Sequence, residues 1–136
     1  MVDEPAKRPM SRRQLLDGVA DIAERLGLFV QKNFVLGHTI WGERRKIDLL
    51  VTDSLNAKHL GVVCRFQDKS GTTYEKVPLT LDDIEAWPMR GIVVYEGSGF
   101  TEGFRGFLRA RGNAIAFDEF DSWLRMFFGL ETSDSH

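Results

Sequence analysis

The chain has 136 residues, of which 43% are hydrophobic and 28% are charged, and its formal net charge is −2. This length suits a single domain, and no apolar run reaches the roughly 18 residues that a membrane-spanning helix needs. A single cysteine, Cys64, excludes an internal disulfide and a cysteine-rich zinc site. The first residues lack the apolar segment of a signal peptide, so a cytoplasmic location is expected.

The first third of the chain predicts an arm, a helix and a strand. Residues 1–10 contain two prolines and four charged residues, which is typical of a flexible arm. Ser11 followed by Gln14 fits a helix cap, and apolar residues then recur at helical spacing as far as Gly27. The β-rich segment from Phe29 to Trp41 predicts the first strand.

Two short apolar segments, residues 47–51 and 60–67, are separated by a polar turn and therefore predict a β-hairpin. Alternation places Ile47, Leu49 and Val51 on one face of the first strand and Asp48 on the other. Arg65 and Gln67 share one face of the second strand. If the strands pair with these faces aligned, Asp48, Arg65 and Gln67 converge on one patch of the sheet. A charge in an apolar strand is costly unless it is paired, hydrated or metal-bound, so this patch is the candidate functional site.

The segment after the hairpin predicts a broken helical region. Residues 68–76 form a polar loop that runs into a helical turn, which Pro78 interrupts. Thr80 with Asp83 then marks the start of a fresh helix, and Pro88 ends it.

The last third predicts two strands, each followed by a helix. The continuous apolar run Gly91–Tyr95 is typical of a buried strand, and Phe104, Phe107 and Leu108 then mark a helix to about Arg111. Residues 113–117 form the last strand. Asp118 caps a final helix that carries an apolar stripe.

The element order αβββαβαβα predicts an α/β fold with a mixed central β-sheet flanked by helices. The early hairpin is antiparallel, and the late β-α-β alternation implies parallel strands with right-handed crossovers. A single domain over residues 11–130 follows, with a tail over residues 131–136.

This order of elements, with an acidic residue on the second strand and a polar site on the third, resembles the PD-(D/E)XK nuclease superfamily. The resemblance covers about residues 12–117, and the order of elements is that of a restriction-endonuclease-like fold. In that family an Asp on one hairpin strand and a Glu-x-Lys on the next hold Mg²⁺ and the attacking water. Ile47-Asp48-Leu49-Leu50-Val51 matches the first part. Val63-Cys64-Arg65 stands where Glu-x-Lys is expected. The segments that follow are similar to those of small phage-type and restriction-like members: Phe66-Gln67, Ser70-Gly71-Thr72 and Glu75-Lys76.

The resemblance implies a DNA nuclease that hydrolyses phosphodiester bonds with Mg²⁺ or Mn²⁺ at a variant active site. Asp48 and Glu75 would hold the metal, and Arg65 would stabilise negative charge. Gln67 and Lys76 would assist. Arg65 cannot replace lysine as a base, because a guanidinium does not lose its proton in proteins.

Partners follow from the same resemblance and from local charge. The basic residues beside the site suit a track for the phosphate backbone of DNA, although a solvated hairpin edge has the same composition; they are Arg44, Arg45, Lys46 and Lys69. Small members of the family often act as homodimers.

Three alternatives remain open on the sequence. Glu24 of the first helix is a second source for the missing carboxylate. The domain could be a catalytically inactive nuclease-fold module that binds nucleic acid or a protein partner. Asp48 could instead form a structural ion pair with Arg65 or Arg45 in an unrelated α/β domain.

Overall fold

The computed structural model describes residues 8–38, 44–68 and 73–130; for His38, Arg44 and residues 73–75 it describes the main chain only. Within these ranges the elements follow the predicted order: α1 (Arg12–Arg25), β1 (Phe29–His38), β2 (Arg44–Asp53), β3 (Lys58–Phe66), α2 (Thr73–Ile84), β4 (Arg90–Glu96), α3 (Glu102–Arg111), β5 (Ala114–Ala116) and α4 (Phe117–Phe128).

The strands form one mixed sheet in the order β1-β2-β3-β4-β5. β1 to β3 pair in antiparallel fashion, whereas β3 to β5 run parallel. The predicted α/β architecture is therefore confirmed. None of the helices in the described ranges is both long enough and apolar enough to cross a membrane.

α1 begins where the sequence predicts it. The hydroxyl of Ser11 accepts a hydrogen bond from the main-chain N–H of Gln14 at 3.1 Å, which satisfies one of the unpaired donors of the first turn. Leu15 and Val19 are fully buried one turn apart, so the helix is held against the sheet. This cap fixes the position of Arg12, the first residue of the helix, which matters for the site.

The sheet separates two hydrophobic cores. α1 and α4 cover one face, where Leu49 and Val51 of β2 pack with Leu60, Val62 and Cys64 of β3. α2 and α3 cover the other face, which includes Ile47, Leu50, Val63, Val93 and Tyr95. The predicted shared face of Ile47 and Leu49 is wrong. Ile47 packs in the core under α2 and α3, whereas Leu49 and Val51 pack in the core under α1 and α4, and the pairing of β2 with β3 ends at Leu49.

α2 is one continuous helix, so the predicted interruption at Pro78 and the restart at Thr80 are wrong. Val77, Leu81 and Ile84 recur at helical spacing and are all buried, and this burial offsets the hydrogen bond that Pro78 cannot donate. The hydroxyl of Thr80 donates to the carbonyl of Lys76 at 3.0 Å instead of capping a new helix.

α4 begins at Phe117, and its N-cap residue, Ala116, makes no side-chain capping bond. The predicted cap at Asp118 is therefore wrong. Asp118 lies in the first turn, where a negative charge is favourable beside the exposed N–H groups. The apolar stripe packs into the core, since Phe120, Leu124 and Phe128 are buried.

Candidate functional site

The site lies where β2 and β3 separate. Their antiparallel ladder runs from Asp53 and Lys58 to Leu49 and Val62. Asp48 is the next residue of β2, and its Oδ2 accepts a hydrogen bond from the main-chain N–H of Cys64 at 2.8 Å. The carboxylate thus takes over a main-chain donor of β3 that the ladder no longer pairs.

The other oxygen of Asp48 is engaged by α1. Arg12 Nη2 lies 2.5 Å from Asp48 Oδ1, and the side chain of Asp48 is only 17% exposed. Charge-assisted bonds of this kind are stronger than neutral ones. The ion-pair partner of Asp48 is therefore Arg12, and not Arg65 or Arg45 as the sequence suggested. Both oxygens of the carboxylate are bonded to the protein itself.

Arg65 lies beside this pair, on the face that α2 covers. Its guanidinium donates to Thr80 Oγ1 and to the carbonyl of Cys64, each at 3.2 Å. Burial lowers the pKa of Arg65 from its ordinary value, and the Asp48 carboxylate acts in the opposite direction. The ordinary pKa of arginine is so high that the side chain keeps its positive charge.

These groups border a cavity of about 320 Å³, here named the Asp48 cavity; its lining residues are Lys46, Asp48, Val63, Arg65, Leu79, Thr80, Asp83 and Trp87. The structure thus brings Asp48 and Arg65 together. Gln67 is not among the lining residues.

Gln67 lies just beyond β3, where its main chain is hydrogen-bonded and its side-chain amide is in an unusual environment. Its main-chain N–H donates to the carbonyl of Glu96 at 3.1 Å, and its carbonyl accepts from Gly99 N–H at 2.8 Å. The side chain is buried, and its amide oxygen and nitrogen have no hydrogen-bond partner among the residues that the structure describes. An unpaired buried amide reduces stability, because both atoms lose their bonds to water on folding.

The buried carboxylate of Glu96 was missed by sequence reasoning. Glu96, the last residue of β4, is 5% exposed and pairs with Arg8 at 2.7 Å. Pro9, which follows Arg8 in the sequence, is also buried. This part of the predicted arm therefore packs on the domain. The signal was present as an acidic residue directly after the apolar run Gly91–Tyr95, but the predicted strand ended before it.

The other predicted site residues are distributed unevenly. Lys46 is exposed at the cavity, whereas Arg45 forms an ion pair with Asp83 at 3.2 Å. Lys76 is exposed on α2. Lys69 and the side chains of Arg44 and Glu75 lie outside the described parts of the structure.

Glu24 is too distant to complete a site with Asp48. It follows Arg12 by twelve residues on the same helix, which is about 18 Å along the axis at 1.5 Å per residue. Arg12 contacts Asp48 directly. The alternative in which Glu24 supplies the missing carboxylate is therefore wrong.

Cys64 is expected to be unreactive in the folded protein. Burial, with a smaller contribution from the Asp48 carboxylate, raises the pKa of its thiol from 9.0 to about 12. At pH 8 the reactive thiolate should be about a thousandfold less abundant than at an exposed cysteine. We expect slow reaction with Ellman's reagent at pH 8 and fast reaction in urea; equally fast reaction in both would contradict the burial of Cys64.

The same pKa shift gives a direction for stability. The unfolded chain loses the thiol proton near pH 9, whereas the folded chain keeps it to about pH 12. The contribution of Cys64 to stability is therefore complete below pH 9 and declines as the pH rises from 9 towards 12.

Comparison of the sequence with known protein families identifies the family of the chain. The family model described as PD-(D/E)XK nuclease superfamily domain matches residues 9–123. The chain belongs to this superfamily. No curated protein matches the sequence at a significant level.

Two solved structures are similar to this superfamily domain. The protein of unknown function AF1548 has a TM-score of 0.52 at 14% identity, over 75% of this chain and 56% of its own. Protein VC1899 from Vibrio cholerae has a TM-score of 0.48 at 16% identity, over 87% of this chain and 33% of its own. The first likeness supports the fold alone. The chain spans about half of one relative and a third of the other.

The superfamily positions for metal binding can be tested against the side chains present. Mg²⁺ is usually held by one or two carboxylates together with waters and substrate phosphates. Val63 offers no oxygen, and both oxygens of Asp48 are already bonded. In the described ranges no group of three or more His, Cys, Asp or Glu side chains could hold a metal ion. A Mg²⁺ ion at Asp48 would therefore have to compete with Arg12 for the carboxylate.

Proposed function

We propose that this domain binds the phosphate backbone of DNA at the Asp48 cavity without hydrolysing it. The observation that supports the proposal most strongly is the bonding of Asp48. The carboxylate that the superfamily resemblance assigns to metal is held by Arg12 and by the N–H of Cys64. Asp48 then acts as an anchor that positions a cation rather than as a metal ligand.

The charges at the cavity favour a phosphate. Lys46, Arg65 and Arg12 lie around a single carboxylate, Asp48, because the carboxylate of Asp83 is paired with Arg45. This leaves an excess of positive charge at the β2 and β3 wall. Neutralisation of phosphates by such cations releases counterions from DNA, and this release favours binding at low salt.

A second candidate function is Mg²⁺-dependent hydrolysis of DNA, with Asp48 and Glu75 as metal ligands and Gln67 and Lys76 assisting. One observation favours it. Thr80 contacts Arg65, and Glu75 precedes Thr80 on α2 by five residues, about 7.5 Å along the helix axis. Glu75 thus belongs to the helix that borders the site. This candidate requires Asp48 to exchange Arg12 for a metal ion, which would supply an activated water.

The variant Asp48→Asn separates the two candidates. Without the carboxylate, Arg12 is freed from its ion pair, so we expect DNA binding in EDTA to be retained or to become a few-fold tighter. The measurement is fluorescence anisotropy of a labelled oligonucleotide at several salt concentrations, in EDTA and again in Mg²⁺. Asp17→Asn, at an exposed acidic residue of α1, is the matched control.

The outcomes of that measurement are distinct. Metal-bridged binding would make the wild-type protein bind DNA more tightly in Mg²⁺ than in EDTA, and Asp48→Asn would abolish this gain. That result would support the second candidate. Affinity that is equal in EDTA and Mg²⁺, apart from the general effect of added ions, supports binding without a metal.

A further inference from the structure

Arg65 is held at the Asp48 cavity by neutral groups. Its Nη1 donates to the carbonyl of Cys64 and its Nη2 donates to the hydroxyl of Thr80, each at 3.2 Å. None of the ion pairs between the described side chains includes Arg65. Arg12, in contrast, is paired directly with Asp48. Among the described side chains, the charge of Arg65 is therefore not cancelled by an ion pair.

The partners of the Thr80 hydroxyl determine the direction of its hydrogen bonds. The hydroxyl lies 3.0 Å from the carbonyl of Lys76, which can only accept, and 3.2 Å from Arg65, which can only donate. Its single proton therefore points to Lys76, and a lone pair faces the guanidinium. Lys76 precedes Thr80 by one turn of α2, and a bond to that carbonyl fixes the rotamer of threonine. The helix thus presents a fixed acceptor to Arg65.

These two bonds leave other donors of the guanidinium for a ligand. An arginine side chain has five N–H groups, and the two acceptors take one from each terminal nitrogen. Each terminal nitrogen keeps a second N–H group, and such groups can contact two oxygens of one phosphate. Arg65, Thr80 and Lys46 all line the cavity. A long side chain that is held before binding loses less conformational freedom when the ligand arrives.

We infer that Thr80 is a positioning residue of the phosphate site: its hydroxyl holds the Arg65 guanidinium in the orientation that binds a DNA phosphate at the Asp48 cavity. This inference rests on the proposed function, because it adds a residue to the site where that proposal places DNA. Thr80 carries no charge and contributes through Arg65 alone.

The test is a double-mutant cycle, measured by fluorescence anisotropy of a labelled DNA duplex in EDTA. Thr80→Val keeps the shape of the side chain and removes the hydroxyl. We expect it to weaken DNA binding about fivefold, the usual cost of ordering one long side chain on binding. Thr80→Ser keeps the hydroxyl and should bind DNA like the wild-type protein. In the Arg65→Gln background, Thr80→Val should have no further effect, because no guanidinium is left to position.

Thr52→Val is the matched control. The hydroxyl of Thr52 also bonds a side chain, that of His59 at 2.9 Å, but this pair lies towards the turn between β2 and β3 and does not line the cavity. We expect wild-type affinity for this variant. Thermal melting checks that each variant is folded at the temperature of the titration. If Thr80→Val is unfolded there, Thr80→Ala replaces it with the same expected result.

Each outcome decides the inference. A loss of affinity that occurs with Thr80→Val, is absent with Thr80→Ser and disappears in the Arg65→Gln background supports it. Wild-type affinity of Thr80→Val, or an equal loss in the Arg65→Gln background, overturns the inference while the proposed DNA binding stands. An equal loss with Thr52→Val also overturns it. Absence of DNA binding by the wild-type protein overturns both.

Discussion

The variant Lys46→Gln/Arg65→Gln is expected to bind DNA about 60-fold more weakly than the wild-type protein at about 0.1 M salt. Each phosphate contact adds about 0.9 to the steepness of the slope of log affinity against log salt concentration. The loss of two contacts therefore reduces that slope by about 1.8, which at about 0.1 M salt corresponds to a loss of about 60-fold in affinity. Both side chains line the Asp48 cavity, and glutamine keeps most of their length. Anisotropy titrations between low and high salt measure the affinity and the slope together.

A matched control distinguishes this site from general attraction of charge. Arg25→Gln/Lys32→Gln also removes one arginine and one lysine, but these pair with Asp21 and Asp17 away from the cavity. We expect nearly wild-type affinity and slope for this control. If the control loses as much affinity as the cavity variant, the DNA is bound by the overall charge distribution, and the proposed location of the site is wrong.

The second large effect is structural: Gly97→Ala should destabilise the fold by about 3 kcal/mol or more. Gly97 has φ of +123°, and a Cβ atom there would lie 2.0 Å from the carbonyl oxygen of Gln67. Main-chain atoms cannot move aside as a flexible side chain can. Relief of the clash would separate the end of β3 from the loop after β4, where Gly99 N–H bonds the same carbonyl.

Gly103→Ala is the control for this prediction. Gly103 lies in α3, and a Cβ atom there would meet nothing within 4 Å. Alanine is a better helix former than glycine, so we expect a gain of up to about 1 kcal/mol. Urea denaturation of both variants measures the free energy of unfolding. Wild-type stability in Gly97→Ala would contradict the close approach of Gly97 to Gln67.

The fold could be predicted from local sequence patterns, namely the spacing of apolar residues and the order of the elements. Arg65 could be assigned to a face of β3 because successive side chains of a strand point to opposite sides of the sheet, and Val63 and Cys64 indeed lie in opposite cores. The late β-α-β alternation fixed the parallel half of the sheet. Where such patterns failed, tertiary burial outweighed a local rule, as when the buried face of α2 carried the helix through Pro78.

The site could be predicted only in part, because its decisive contacts join distant parts of the chain. Asp48 and Arg65 were found from charges in apolar strands. Arg12 precedes Asp48 by 36 residues, and no local periodicity relates α1 to the point where β2 and β3 separate. Arg8 and Glu96 are likewise joined only by the folded structure. Side-chain pairing over such separations depends on how helix and sheet pack, and the sequence does not specify that directly.

The hydrogen bond and ion pair of Asp48 distinguish DNA binding from DNA hydrolysis as the proposed function. Asp48, the residue at the position that the superfamily resemblance assigns to metal, is paired with Arg12, and the described side chains form no group of three or more metal ligands. The same residue would be indispensable in a nuclease. The two functions therefore make opposite predictions for one substitution.

The most direct test is incubation of supercoiled plasmid with the wild-type protein and with Asp48→Ala, in Mg²⁺ and in Mn²⁺, followed by electrophoresis before and after removal of the protein. We predict that the plasmid is retarded by both proteins and is still supercoiled once they are removed. Nicked or linear plasmid with the wild-type protein, absent with Asp48→Ala, would contradict the account and establish a metal-dependent nuclease.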